Sequence, residues 1–169
     1  MIPLITTEYD LHFSSLLSRD DTDMVVIHHT GDEVDDDLSA QQIHAIHINQ
    51  GWSGIGYHFV IRKNGSVEVG RPLWAVGAHA VGDNWHSVGI HVCGNFEIAT
   101  PNEYQIESLA YLVAYVCDNY DIPIDADHVV GHCDLMATAC PGRNLYSILQ
   151  TIRGKAVWYR QHYSCMEGD

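Results

Sequence analysis

Short runs of β-branched and other apolar residues alternate along this chain with segments that carry helix signals. These runs are too short for typical helices and are bounded by polar or glycine-containing segments, a pattern typical of buried strands. The predicted strands are Met24–Ile27 (ending at His28), His58–Arg62, Ser66–Val69, Ser87–Cys93 and His128–Gly131. Strands that alternate with helices predict an α/β fold, in which α-helices flank a central mixed β-sheet.

The helices are predicted from capping signals and amphipathic spacing. Ser39 and Gln42 have the spacing of a capping box that opens a helix to about Gln50. Thr100-Pro101-Asn102-Glu103 combines an N-cap, a first-turn proline and a capping-box glutamate ahead of a second amphipathic helix. Weaker patterns predict a short helix over Tyr9–Ser18 and a last helix over roughly Leu145–Ile152 that can continue beyond Gly154.

Length and charge restrict the class of protein. A chain of 169 residues suits one compact domain, expected over 1–169 with its core at about 24–152. It has 22 Asp and Glu against 8 Lys and Arg, a poor surface for nucleic acid. No apolar stretch approaches a membrane span, and the N-terminus lacks the pattern of a signal peptide. We therefore expect a monomer made in the cytoplasm without a signal peptide, with no nucleic-acid partner and no membrane span.

Two histidines and a cysteine, His28, His132 and Cys140, follow or end predicted strands. Zinc binds histidine nitrogen and cysteine thiolate, and a catalytic zinc site has three protein ligands and one open position. A lone histidine is more often a hydrogen-bonded structural residue, and a free cysteine is commonly a small buried hydrophobic residue. The chain has five cysteines, an odd number, so we expect mostly free thiols.

Several motifs, in this order, resemble the N-acetylmuramoyl-L-alanine amidase type 2 family, which includes T7-type phage lysozymes and peptidoglycan recognition proteins. The resemblance is carried by IHHT (27–30), GYHF (56–59) and GHCDLMATACPG (131–142), and it extends from about residue 25 to 145. It implies a catalytic Zn²⁺ bound by His28, His132 and Cys140, with His29 as a supporting or core residue. It also implies hydrolysis of the amide between the lactyl group of N-acetylmuramic acid and L-alanine of the peptidoglycan stem peptide.

The resemblance assigns further catalytic roles. Tyr57 in GYHF matches the family's catalytic tyrosine, whose hydroxyl can hydrogen-bond the attacking water or the developing charge; alone, GYHF would favour a packed aromatic. Thr138 stands where catalytic recognition proteins typically carry threonine, which implies a supporting role. His91 occupies the position at which cytosolic anhydro-muropeptide amidases carry a catalytic glutamate, so the chain is more similar to the lysozyme and recognition-protein branch.

A groove for sugar and peptide is the last site that the resemblance implies. Its expected lining is His79, Asn84, Trp52, Trp74 and Trp85, although Trp52 and Trp74 could equally belong to the core. A non-catalytic peptidoglycan-binding recognition module is the main alternative function, but such modules usually lose a zinc ligand, most often the cysteine. A cell-wall enzyme of this kind could be a phage or prophage endolysin, released to the wall at lysis, or a bacterial recycling or remodelling enzyme.

Overall fold

The computed structural model describes residues 5–163, and side chains from residue 7 onward. Within this range the chain forms one six-stranded sheet with helices on both faces. The elements are β1 (Ile5–Glu8), β2 (Met24–His29), α1 (Ala40–Asn49), β3 (Phe59–Ile61), β4 (Val67–Val69), β5 (Ser87–Val92), α2 (Glu103–Asn119), β6 (Val129–Gly131), a 3-10 helix (His132–Asp134), α3 (Arg143–Tyr146) and α4 (Leu149–Tyr163).

The sheet is mixed, as predicted. Its strand order is β1-β4-β3-β5-β2-β6, and β3 with β4 is the antiparallel pair while the other neighbours are parallel. The predicted strands end within one or two residues of the observed ones, whereas β1 was not predicted. In the register of β2, His28 pairs with His91 of β5, and Ile27 pairs with Gly131 of β6.

The main core lies between the sheet and the helices α2 and α4. Alternate side chains of β2 and β5 enter it, including Val25, Ile27 and Ile90. A smaller cluster on the opposite face packs beneath α1 and includes Ile43 and Val60. Because side chains of a strand alternate between the two faces, His28 points away from the core that holds Ile27. The alternation therefore places His28 on the α1 side of the sheet.

The helix predicted over Tyr9–Ser18 is not formed. This segment runs extended after β1, and Tyr9, Leu11 and Phe13 are partly buried against the α1 cluster while the residues between them are exposed. An alternation of two residues is the period of an extended chain, so the apolar spacing here fits a strand-like segment better than a helix. The prediction was wrong because it gave a helical period to an alternating pattern.

Two helix ends also differ from the prediction. The N-cap of α2 is Asn102, not Thr100: Asn102 Oδ1 accepts from Gln105 N at 3.0 Å, and Gln105 Oε1 accepts from Asn102 N at 3.3 Å. The capping box was thus read two residues too early. The predicted last helix is divided into α3 and α4, and α4 passes through Gly154 to Tyr163. Within residues 5–163, no helix is both long enough and apolar enough to cross a membrane.

The predicted capping box of α1 is confirmed. Ser39 Oγ accepts from Gln42 N at 3.1 Å, and Gln42 Oε1 accepts from Ser39 N at 2.8 Å. These bonds satisfy two backbone donors at the start of the helix. They fix the start of α1, which packs over the face of the sheet that carries His28.

Candidate metal centre

His28 and His132 meet because their strands are neighbours in the sheet. Ile27 pairs with Gly131, so the next residue of each chain segment extends the parallel register by one position. The two imidazole rings lie 4.5 Å apart between centroids. His28 is 1% exposed, whereas His132 is partly buried at the start of the 3-10 helix. The pairing of β2 with β6 therefore brings two predicted ligands together.

Cys140 reaches the same place through a tight loop. The backbone N–H of Cys133 donates to the carbonyl of Cys140 at 2.8 Å, which closes the loop that follows the 3-10 helix. Cys140 Sγ lies 3.6 Å from His28 Nδ1 and accepts from the backbone N–H of His29 at 3.4 Å. Because it receives this N–H, the sulfur is oriented toward the end of β2.

The three residues fit a zinc ion. One ligand atom from each of His28, His132 and Cys140 lies within 4.8 Å of the others. Tetrahedral zinc with bonds of about 2.0–2.3 Å needs ligand atoms roughly 3.3–3.8 Å apart, so small side-chain adjustments suffice. Within the described residues, His132 Nε2 is buried without a hydrogen-bond partner. Buried polar atoms rarely lack a hydrogen-bond partner. A metal bound here would supply a partner for this nitrogen.

The electrostatics of the site favour neutral imidazoles and a cation. Burial, followed by the neighbouring His79 and His132, holds the pKa of His28 well below its usual value, and burial also lowers the pKa of His132. Burial raises the pKa of the Cys140 thiol to about 12. A bound cation would reverse this effect, since a coordinating thiol loses its proton. The site is thus built from two neutral donors and one sulfur that a metal would convert to thiolate.

Tyr57 stands beside this cluster in the segment before β3. Its ring centroid is 5.1 Å from that of His28, and its ring also packs near His91 and His47 at 4.8 and 5.7 Å. Within the described residues its hydroxyl has no hydrogen-bond partner. Burial, with smaller contributions from Cys140 and Asp32, raises the pKa of Tyr57. Its hydroxyl therefore keeps its proton at neutral pH and is available as a donor.

Thr138 lies in the loop that carries Cys140. Its Oγ1 accepts from the backbone N–H of Cys140 at 3.2 Å. This local bond, of the kind that threonine makes in turns, holds the loop that presents the sulfur. The hydroxyl proton is not used in this bond and can serve a second partner. The supporting role predicted for Thr138 stays a prediction, and the geometry adds a contact to the loop backbone.

The residues predicted to line the groove occupy different places. Asn84 Oδ1 accepts from the backbone N–H of both His79 and Ala80, at 2.8 and 2.9 Å, and so folds the loop before β5. His79 is only 9% exposed, and its Nδ1 lies 2.9 Å from His28 Nε2. The substrate contacts predicted for Asn84 and His79 stay predictions.

The predicted tryptophans are largely exposed. Trp52, Trp74 and Trp85 are 44, 55 and 60% exposed, so none of the three is a core residue. The Trp52 ring lies 4.4 Å from His47, whose ring in turn approaches Tyr57. Trp52 is therefore joined to the Tyr57 side of the site by direct ring contacts. The groove role of all three tryptophans stays a prediction.

Two histidines near Tyr57 were not assigned to the site from the sequence. His47 was expected to face solvent or the sheet; it is buried, and its Nδ1 accepts from Gly56 N at 3.0 Å. His91, predicted to be structural, has its Nε2 3.1 Å from Thr30 Oγ1. The spacing of His44 and His47 on one side of α1 was the available signal. His29, predicted to be a core or supporting residue, is buried and accepts from Phe96 N at 3.1 Å.

The cysteines agree with the expectation of free thiols. Cys93, Cys117, Cys133 and Cys140 are free, while Cys165 lies outside the described residues. The backbone N–H of Cys133 donates to the carbonyl of Cys140, and Cys133 is not part of the cluster of ligand atoms.

The chain is similar in sequence and in structure to known proteins. The N-acetylmuramoyl-L-alanine amidase family (Amidase_2) matches residues 18–143. The endolysin of Escherichia phage T7 is 30% identical over 132 residues, which cover 75% of this chain and 85% of that protein. Among solved structures, the N-acetylmuramoyl-L-alanine amidase LysC from Clostridium intestinale has a TM-score of 0.78 and 38% identity, covering 88% of this chain and 94% of that one. Drosophila PGRP-LB has a TM-score of 0.73 and 26% identity, covering 83 and 86%.

Proposed function

The chain belongs to the N-acetylmuramoyl-L-alanine amidase family (Amidase_2), and on that premise we propose that it is a zinc-dependent amidase of peptidoglycan. The bond cleaved is the amide between the lactyl group of N-acetylmuramic acid and L-alanine of the stem peptide. Family membership and the similarity to an endolysin and to an N-acetylmuramoyl-L-alanine amidase support the substrate class.

One observation carries the proposal. His28, His132 and Cys140 place three potential ligand atoms within 4.8 Å of one another, beside the ring of Tyr57. Catalytic zinc sites have three protein ligands, whereas structural zinc sites have four. Within the described residues, no further Cys, His, Asp or Glu joins the cluster. The donor set is therefore of the open, catalytic type.

The zinc ligands, Tyr57 and Thr138 have different roles in amide hydrolysis. A zinc ion held by His28, His132 and Cys140 would supply a Lewis acid that polarises the carbonyl and lowers the pKa of water. Because burial raises the pKa of Tyr57, its hydroxyl keeps its proton at neutral pH and can donate a hydrogen bond. In this assignment it donates a hydrogen bond to the substrate oxygen on which negative charge develops. Thr138 holds the loop of Cys140 and offers its hydroxyl proton to the same substrate.

The substrate face extends from Tyr57 toward Trp52. The exposed indole of Trp52 offers an apolar surface against which a sugar or peptide can pack, and His47 links it to Tyr57. We assign Trp74, Trp85 and Asn84 to the same substrate region, as the family resemblance implies; His79, which the resemblance places with them, has its ring buried against His28. The chain would act on the cell wall as a monomer, and its similarity to phage endolysins supports an endolysin role.

A binding-only recognition module is the competing function, because peptidoglycan recognition proteins are among the structural neighbours. Retention of both histidines, Cys140 and Tyr57 favours the enzyme. The test combines metal content with release of soluble peptide from purified peptidoglycan. About one zinc per chain, together with release that a chelator abolishes and added zinc restores, would support the amidase. Binding of peptidoglycan without any release would identify a recognition module.

A further inference from the structure

The second nitrogen of His28 does not face solvent. His28 Nε2 lies 2.9 Å from His79 Nδ1, and the two rings meet edge to face with their centroids 5.0 Å apart. Both rings are buried. A contact of this length between two imidazoles needs one nitrogen to donate and the other to accept. The direction of this hydrogen bond therefore decides which nitrogen of His28 is bare.

The direction is set by Ser87 on the far side of His79. Ser87 Oγ donates its one proton to the carbonyl of Asp83 at 2.7 Å. The same oxygen lies 3.4 Å from His79 Nε2, so it can only accept there, and His79 carries its proton on Nε2. His79 Nδ1 is then an acceptor, and His28 must donate from Nε2. The opposite direction would leave His79 Nε2 bare against a hydroxyl whose proton is already committed.

Two glycines leave space for the His79 ring. A Cβ at Gly89, in the middle of β5, would lie 2.5 Å from His79 Cγ, and a Cβ at Gly77 would lie 2.5 Å from His79 Cδ2. Real Cβ atoms do not approach other atoms so closely, so both positions exclude a side chain while the ring is present. Asn84 Oδ1, as described above, also accepts the backbone N–H of His79. The two glycines therefore leave room for the ring beside His28, and Asn84 holds the backbone of His79.

We propose that His79 is a positioning residue, whose Nδ1 accepts the Nε2–H of His28 and so keeps His28 Nδ1 bare and directed at Cys140. Outer partners of this kind fix the tautomer and ring orientation of metal-binding histidines. Here the partner is a neutral imidazole instead of a carboxylate or a backbone carbonyl. The metal-binding consequence rests on the zinc assignment made under the proposed function, whereas the tautomer itself does not.

The direct test is the tautomer of His28 in the metal-free protein. Two-bond ¹H–¹⁵N correlation spectra distinguish Nε2–H from Nδ1–H imidazoles, and the His28 signals are identified by their loss in His28→Gln. The expected result is a proton on Nε2 of both His28 and His79. A proton on Nδ1 of His28 overturns the proposal. This spectrum decides the inference even if the wild-type protein binds no zinc, a result that would defeat the proposed function alone.

Zinc affinity, measured by competition with a chelator, gives the second readout. His79→Leu should weaken zinc binding by about 10–100-fold, the usual loss when an outer partner is removed. His79→Asn should recover part of the loss, because its Oδ1 takes the place of Nδ1 as acceptor. Unchanged affinity in His79→Leu contradicts the positioning role. Thermal unfolding of each metal-free variant shows whether the fold is retained.

A pair of serine variants keeps the test decisive if His79 variants fail to fold. Ser87→Ala leaves the His79 ring and the Ser87 backbone in place but removes the hydroxyl acceptor beside His79 Nε2, so the His28 signals should shift toward a mixture of both tautomers. Ser108→Ala is the matched control, because Ser108 is equally buried and its hydroxyl donates to the carbonyl of Gly65 away from the site. It should leave the His28 spectrum unchanged. A single unchanged tautomer in Ser87→Ala would contradict the proposed chain of hydrogen bonds.

Discussion

His28 and Cys140 are 112 positions apart in the chain, yet His28 Nδ1 lies 3.6 Å from Cys140 Sγ. The contact depends on two separate features. Parallel pairing of β2 and β6 fixes the end of β2 beside the start of the 3-10 helix. The loop closed by the bond from Cys133 N to the Cys140 carbonyl then returns the sulfur to that point. We therefore expect the loss of any one ligand to lower both zinc binding and turnover.

Replacement of Cys140 by serine should remove both zinc and turnover, because a hydroxyl is a much poorer zinc ligand than a thiolate. Cys133→Ser is the matched control, since it alters a thiol seven positions away that is not in the ligand cluster. The measurement is zinc content by elemental analysis, expected at about one per chain in the wild type and control, together with amidase rate. Full zinc content in Cys140→Ser would refute the ligand assignment.

Replacement of Tyr57 by phenylalanine should leave the fold and zinc content intact but lower kcat. The ring contacts with His28, His47 and His91 are kept, and only the hydroxyl donor is lost. Loss of a hydrogen bond to developing charge should cost roughly tenfold or more in rate. Tyr104→Phe, on the exposed face of α2, is the control. An unchanged kcat would limit Tyr57 to a packing role.

The roles of Thr138 and Cys140 can be separated by Thr138→Ala. This variant should keep its zinc and lose about 1–3 kcal/mol of transition-state stabilisation, the order of one hydrogen bond. Thr138→Ser keeps the hydroxyl that accepts from Cys140 N, and should recover most of the rate. Zinc content and kcat are measured at one pH for both variants. Loss of zinc from Thr138→Ala would mean that the loop contact, and not catalysis, explains its effect.

Much of the fold and of the metal cluster could be predicted from the sequence. Short apolar runs with clear boundaries predicted five of the six observed strands, and the polar residues after two of these runs predicted where His28 and His132 would meet. Cys140 was a candidate ligand from its residue type and position, and the resemblance carried by IHHT, GYHF and GHCDLMATACPG added a role for Tyr57. The strand predictions succeeded because strand periodicity is a local property of the chain.

What could not be predicted depends on tertiary packing. The segment of Tyr9 and Leu11 alternates with period two, a pattern that the helix prediction overlooked, and it packs extended against the α1 cluster. The His79 ring can be buried beside His28 because Gly77 and Gly89 have no side chains. Both glycines are distant in sequence from His28. The enclosure of Tyr57 by His47 and His91 requires α1 to pack over the face of the sheet on which the His91 side chain of β5 lies. Each of these contacts joins elements whose spatial relation the local pattern does not specify.

The stability of the metal-free protein should fall as the pH drops from about 6.5 toward 4. Burial lowers the pKa of His47 to about 4 and of His58 and His91 to about 3. A histidine whose pKa is lower in the folded state takes up a proton on unfolding, so acid favours the unfolded chain. Each such residue contributes roughly 1.4 kcal/mol per pH unit to the slope of the free energy of unfolding.

Urea unfolding across this pH range measures that slope. His47→Asn, whose Oδ1 can still accept from Gly56 N, should reduce the slope by about one proton. His162→Gln, at an exposed position near the end of α4, should leave it unchanged. A free energy of unfolding that stays constant between pH 6.5 and 4 would contradict the assignment of neutral buried histidines.

The identity of the bond cleaved tests the central claim most directly. Purified peptidoglycan is digested with the zinc-loaded protein, and the products are analysed by mass spectrometry. The account predicts intact glycan strands and free stem peptides that begin with alanine, and the same products should be absent for Cys140→Ser. New reducing sugar ends, cleavage within the stem peptide, or no soluble product from the zinc-loaded wild-type protein would contradict it.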